Sequence, residues 1–336
     1  MSNVLEIFVD GTANGLSQLE ALKNLAPNIN ILKFSDNPLS EDLNIENVIE
    51  GLVQEDTLVP GFKGDFGEDF KIPDQITEVY FELMSGLFSH NIFKNHPNLK
   101  VLDCGRNFGE QAIDSTTFPQ SLEKLSFPVW GKFTQDCLPS GLKELSMESV
   151  PEGNLVTKEF FPAGLKKFIA SGEFNQSLSI LPRGIEYISL GYQFTTQILP
   201  GDIPSTCKYI DFTSEGRTNH SKTPLIPGSL PEGLKIVKFA QGFDQDLTDI
   251  LPSTLVKLTI ANEFTHQLKD LPQSIRILDF CFLKTLTQTF KAEDLPSSLK
   301  VFRLCHAQNI TVEGFEVERN EFGTKQEDEE ILNEKL

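Results

Sequence analysis

Positive charge is scarce in this chain: 29 Lys and Arg stand against 48 Asp and Glu, a formal net charge of −19 over 336 residues. Nucleic acid and anionic membrane surfaces both reward clustered Lys and Arg, so neither is expected as a partner. Long apolar runs are missing as well. The opening stretch MSNVLEIFVD has no basic segment and no sustained hydrophobic run, and no membrane span follows, so a cytoplasmic protein is expected.

Motifs that carry chemistry are also absent. His90, His96, His220, His266 and His306 are scattered, with no HExxH or EF-hand pattern and no glycine loop of the GxGxxG or Walker type. The five cysteines, Cys104, Cys137, Cys207, Cys281 and Cys305, lack metal-ligand spacing. Free thiols in a reducing compartment are the expectation. Residues 64–69 (GDFGED) lack the alternating ligands of a calcium loop and read as an acidic turn. No catalytic residue, metal or cofactor is expected, and the chain does not read as an enzyme.

What is present is a repeat. Aligned on proline, the unit is Pro-x-x-Leu-x-x-Leu-x-Phe, with a further Phe and then a Gln downstream. Its prolines are Pro73, Pro119, Pro139, Pro162, Pro182, Pro204, Pro231, Pro252, Pro272 and Pro296, and a unit with a late proline starts at His96. Three inward columns follow. They begin at Leu122, Leu125 and Phe127 and recur in each copy, for example as Ile185, Ile188 and Leu190. The last two columns are two residues apart, which is strand periodicity.

A strand of about five residues cannot bury its apolar face alone, but stacked copies merge their columns into one core. All copies run in the same sense, so the sheet is parallel. From Pro119 on, most prolines recur about every 20–24 residues, which leaves little room for a helix on the return. The expected class is α/β: a leucine-rich-repeat-like solenoid, with helices mainly in the N-terminal coils and short non-helical returns later. Phe108, Phe133, Phe174, Phe194, Phe243 and Phe264 form a structural spine. The paired Gln111, Gln135, Gln176, Gln197, Gln245 and Gln267 are suited to satisfying turn amides and carbonyls.

The segment EFNQSLSILPRGIEYISLGYQF, residues 173–194, resembles the FNIP repeat, a short relative of the leucine-rich repeat. The resemblance extends over about residues 96–310, although Ala170 replaces a core apolar residue and the unit at 139–161 lacks the Phe and Gln. It implies protein interaction and brings no catalytic residues. Some members of that family resemble ubiquitin-ligase adaptors by carrying an F-box before the repeats. Here the N-terminus shows coils at that place, so an adaptor without a recognisable F-box is the alternative, beside a purely structural solenoid.

Three regions are expected. Residues 1–95 form longer coils and a cap, with strands at 4–9 and 29–34 and helical stripes at 16–26, 40–52 and 87–93. Residues 96–310 form the repeat solenoid, with the long insert 213–230 bulging as a loop. Residues 311–336 form a cap strand and an acidic tail, solvated or partly helical, that shields the sheet edge.

The outer face of the strands, concave in solenoids of this kind, is the candidate binding surface. One outer column runs Lys167, Tyr187, Tyr209, Ile236, Lys257, and the next Ile169, Ser189, Asp211, Lys238, Thr259. Tyr187, Tyr209, Ile236 and Ile169 make an apolar centre that Lys167, Lys238 and Asp211 rim with charge, as binding surfaces are built. Aromatic and β-branched residues also simply suit strands. Asp211 and Asp279 fall in different coils, too far apart to act as a carboxylate pair. The expectation is a monomeric scaffold that binds an unidentified protein or peptide through this face.

Overall fold

In the structure of the chain, a computed structural model, coils begin with a turn that the proline's carbonyl closes. Pro182 O accepts from Ile185 N at 3.1 Å, and the same bond recurs at Pro73, Pro119, Pro139, Pro162, Pro204, Pro231, Pro252, Pro272 and Pro296. Where the proline comes late, at Pro97, the carbonyl of His96 takes its place and holds Leu99 N. Proline suits the position because the turn needs its carbonyl and no ladder needs its missing N–H.

The structure describes residues 4–9, 30–36, 72–82, 93–105, 112–128, 132–147, 156–170, 172, 174–191, 193–213, 223–240, 242–261, 264–281, 286–305, 309–319 and 323–333. They fall into two units, residues 1–165 and 166–336.

The first unit holds β1 (Val4–Val9), β2 (Ile31–Asp36), β3 (Glu78–Glu82), β4 (Val101–Asp103), β5 (Lys124–Phe127) and β6 (Glu144–Met147), each paired in parallel with the next. The second holds β7 (Lys167–Ala170), β8 (Tyr187–Leu190), β9 (Tyr209–Asp211), β10 (Ile236–Phe239), β11 (Lys257–Ile260), β12 (Ile277–Cys281) and β14 (Val301–Cys305), again parallel neighbour to neighbour. β16 (Glu318–Arg319) adds to β14 as the last strand. On the return side, β13 (Gln288–Lys291) pairs in parallel with β15 (Ile310–Glu313).

The three inward columns are buried throughout, from Leu122, Leu125 and Phe127 to Leu299, Phe302 and Leu304. In the second unit Phe174 stacks on Phe194 at 6.3 Å, and Phe243 on Phe264 at 6.4 Å, with rings nearly parallel. In the first, Phe133 packs against Phe160 at 4.9 Å; Phe108 lies outside the described residues. The glutamines reach between coils. Gln245 accepts from Leu225 N and donates to Leu225 O, Gln267 donates to Thr287 O, and Gln135 accepts from Thr157 N. Gln111 lies outside the described residues.

A second ladder runs beside them. The Ser or Thr two places after the proline donates to the carbonyl of the core residue one coil earlier: Ser121 to Leu99, Thr206 to Ile185, Thr254 to Leu234, Ser274 to Leu255 and Ser298 to Ile275. These bonds occupy carbonyls that the turn leaves off the sheet ladder.

Three expectations are corrected. Among the described residues the α-helix is at the C-terminal end, α1 (Lys325–Leu332), and not in the N-terminal coils. The helices expected at 16–26 and 40–52, and 87–93 apart from Phe93, lie outside the described residues, as does the acidic turn at 64–69. The insert 213–230 is not all loop. Residues 223–230 form a rung of the return side, where Leu225 is buried and bridges Ile198 in parallel, and Ser229 donates to Ile198 O. Finally, the acidic end does not merely shield the sheet edge, because α1 lies on the outer face of the second unit.

Candidate functional site

The registers of β7 to β14 place Lys167, Tyr187, Tyr209, Ile236, Lys257, Ile277 and Val301 opposite one another, rung after rung. Ile169, Ser189, Asp211, Lys238, Thr259, Asp279 and Arg303 form the adjoining outer column. The parallel stacking that buries the core thus also aligns the outer residues.

Tyr187 and Tyr209 stack face to face, with centroids 4.1 Å apart and planes at 8°. Lys167 Nζ sits 4.6 Å over the Tyr187 ring, and Lys238 Nζ 5.4 Å from that of Tyr209, so both tyrosines also meet a cation. Tyr209 donates its hydroxyl to Asp211 Oδ2 at 3.0 Å, and Asp211 Oδ1 accepts from the amide and hydroxyl of Thr213. Burial, then the Asp211 carboxylate, push the Tyr209 phenol far above its ordinary pKa.

This stripe is covered. Tyr209, Ile236 and Ile277 form a buried cluster with Ile331 of α1, and Tyr187, Val256, Val301 and Leu332 pack around it. Ile169 and Lys167, nearer the start of the unit, are half-buried. The residues chosen from the sequence are therefore brought together, but Tyr209 and Ile236 lie beneath the chain's own C-terminus.

Charge fixes the helix in place. Lys238 Nζ meets Asp328 Oδ2 at 2.5 Å. Lys257 Nζ lies 2.8 Å from Asp328, 2.6 Å from Glu327 and 3.4 Å from Asp279, with its side chain 1% exposed. Arg303 spans the far side, bonding Glu327 at 2.7 Å, Glu318 at 2.7 Å and Asp279 at 3.1 Å. Burial by itself would drive the Lys257 ammonium to lose its proton, but Asp279, Asp328 and Glu327 outweigh it and raise the pKa. Burial likewise opposes the ionised Glu327, yet the bonds from Arg303 and Lys257 hold its carboxyl below the usual range. Asp279 goes the other way: desolvation raises it despite both cations.

Local chemistry explains why a helix starts where it does. Thr324 Oγ1 accepts from Glu327 N at 3.1 Å, the N-cap bond of a Thr-x-x-Glu box. The Glu327 side chain is diverted from that box onto Lys257 and Arg303. Just before the cap, Gly323 approaches the cluster so closely that a Cβ there would lie 2.6 Å from Lys257 Nζ and 2.7 Å from Asp279 Oδ2.

Sequence reasoning missed Lys257, Arg303, Glu318, Gly323, Glu327, Asp328 and Ile331 as parts of this site. Signals existed: the Thr324-x-x-Glu327 box, the aliphatic Ile331 four places after Glu327, and Lys238, Lys257 and Arg303 in the outer columns. No helix among the described residues is long and apolar enough to cross a membrane.

A ladder of parallel strands, one per short coil, with proline turns and non-helical returns, defines a solenoid of the leucine-rich-repeat kind. Residues 174–214 and 223–263 match the FNIP Repeat family model, so the second unit carries FNIP repeats. Among solved structures, the chain is similar to CroV588, described as a novel circular LRR protein, with 20% identity and a TM-score of 0.62. The match covers 87% of this chain but 43% of that one, so this chain spans less than half of its length. At that identity the likeness concerns the fold alone. No curated protein matches the chain.

Proposed function

We propose that the chain is a non-catalytic scaffold that docks a protein or peptide on the outer sheet face of its second unit. The observation that carries this reading is that the face already receives a peptide segment. α1 sits on the stripe of Tyr209, Ile236 and Ile277 and is pinned by Lys238, Lys257 and Arg303. An apolar centre with charged anchors around it is the anatomy of a protein interface. The non-catalytic reading is supported by the way Lys257, Asp279, Arg303 and Glu327 satisfy one another, which leaves none of them poised to move a proton. We place the protein in the cytoplasm as a monomer, without nucleic-acid or membrane partners, in line with its acidic composition.

Affinity purification with the intact chain, beside a folded variant carrying Tyr187→Ala and Tyr209→Ala, tests the proposal. A partner retained by the intact chain and lost at least tenfold by the variant is expected. Equal retention by both would move the site off this face.

A further inference from the structure

We infer that α1 is a built-in competitor and that the partner it excludes is itself an acidic amphipathic helix. The inference rests on the reading of this face as a docking surface and names the chemistry of what docks.

The seated helix spells out the recognition. Glu327 and Asp328 point at Lys257, Lys238 and Arg303, while Ile331, three places beyond Asp328, enters the cluster of Tyr209, Ile236 and Ile277. Residues three and four apart share one helix face, so Glu-Asp-x-x-Ile is the minimal pattern that satisfies both the cations and the apolar stripe. The lysines and the arginine fix the sign of the partner's charge. A basic or neutral helix would leave the buried Lys257 with Asp279, which Arg303 shares, in place of three carboxylates, a costly loss for a desolvated ammonium.

The occupant is also built to leave. α1 has eight residues, about 12 Å, and its side chains meet those of β9 to β12 and of β14. Isolated helices shorter than about 12–15 residues are marginal in water, so α1 depends on its docking to be helical at all. In the outer column Tyr187 packs against the buried cluster, and Lys167 follows it with its ammonium over the Tyr187 ring. The tail's advantage is proximity, since a tethered segment acts at an effective concentration on the millimolar scale.

The test uses the full chain and a full-length variant with Asp328→Lys and Ile331→Asp, which sets like charge against Lys238 and Lys257 and a charge into the apolar cluster. Amide hydrogen exchange over residues 325–332 reports release. The probe is a fluorescent peptide of residues 318–336, beside the same peptide carrying Glu327→Lys and Asp328→Lys, read by anisotropy. Exchange should be slow in the natural chain and fast in the variant, and the variant should bind the natural peptide at least tenfold more tightly than the natural chain does. The charge-reversed peptide should not bind. Slow exchange in the variant would overturn the proposal, because these contacts would then not hold the helix. Release without peptide binding would overturn it too.

Panning a random peptide library on the released variant, with Tyr187→Ala and Tyr209→Ala as the counter-selection, separates the two readings. Tyr-dependent peptides that are not acidic helices leave the docking face standing and sink only the identity of its partner. If no Tyr-dependent peptide emerges and the natural peptide does not bind, both fall.

Discussion

Lys257 and Asp328 are 71 residues apart in the chain and 2.8 Å apart in the fold, and the helix bearing the carboxylate covers the buried ammonium. This contact joins the middle of the repeat array to its last segment. It turns an outer sheet face, which the repeat alone would leave to solvent, into an interior.

Removing one member of a buried ion pair commonly costs about 3–5 kcal/mol, because the other is left charged and dry. Here the helix can undock and rehydrate, so the loss is capped at its docking free energy. Lys257→Met should therefore bring amide exchange over 325–332 to the unprotected rate and leave the main thermal transition of the solenoid nearly unchanged. Gly323→Val should do the same by a steric route, since its Cβ would press on Lys257 Nζ and Asp279 Oδ2. A main transition lowered by many degrees in both variants would mean that the cluster supports the sheet itself.

The aromatic spine should be the costlier place to cut. Phe243 is buried and stacks on Phe239 at 4.1 Å and on Phe264 at 6.4 Å. Phe243→Ala should cost about 3–5 kcal/mol in denaturant melts through the cavity it opens. Tyr187→Ala, at a half-buried position of the outer face, should cost much less. Equal losses would show that the outer column carries the fold as the inner ones do.

Gln245 holds both the N–H and the C=O of Leu225, whereas Gln267 has one inter-coil bond, to Thr287 O. Each unpaired backbone group costs about 1–3 kcal/mol if it stays buried. Gln245→Leu should thus destabilise by more than Gln267→Leu and should speed exchange at the Leu225 amide. The reverse order would place the inter-coil stability elsewhere.

Two pH limits follow from buried groups. Burial pushes the Cys137 and Cys207 thiols up to about 12 from an ordinary value of 9.0. Below 9.0 folded and unfolded chains both keep these protons. Between 9.0 and about 12 only the unfolded chain releases them, so stability should fall by about 1.4 kcal/mol per pH unit for each thiol. On the acid side, Glu327 is lowered when docked. Its contribution is present above the free-carboxyl pKa and lost as pH falls through the docked value, so exchange over 325–332, corrected for intrinsic rate, should accelerate in acid. Asp279, raised by burial, faces the same Lys257 and Arg303 and works in the opposite sense, which limits the size of the effect. Docking unchanged down to pH 2 would show that Ile331 holds the helix and the charges do not.

Proline turns, core columns and strand direction were legible in the sequence because each depends on residues within one short coil. Pro182, Ile185, Ile188 and Leu190 state by type and spacing what turn and strand require, and repetition then dictates the parallel register. The alignment of Tyr187, Tyr209 and Ile236 on successive rungs follows from the same periodicity. What the neighbouring coil supplies is less visible. Nothing within Pro272-Gln273-Ser274 says that the Ser274 hydroxyl will find Leu255 O.

Only the tertiary structure decided whether the outer stripe is open. Thr324-x-x-Glu327 determines that a helix begins, because an N-cap is a bond between near neighbours in the chain. Where that helix comes to rest depends on the path after β16 and on the sum of long-range pairings to Lys238, Lys257 and Arg303. Coulomb attraction and apolar burial act through space and leave no fixed spacing in the sequence, so the residue that covers Tyr209 and Ile236 could be named only once the chain had folded back upon itself.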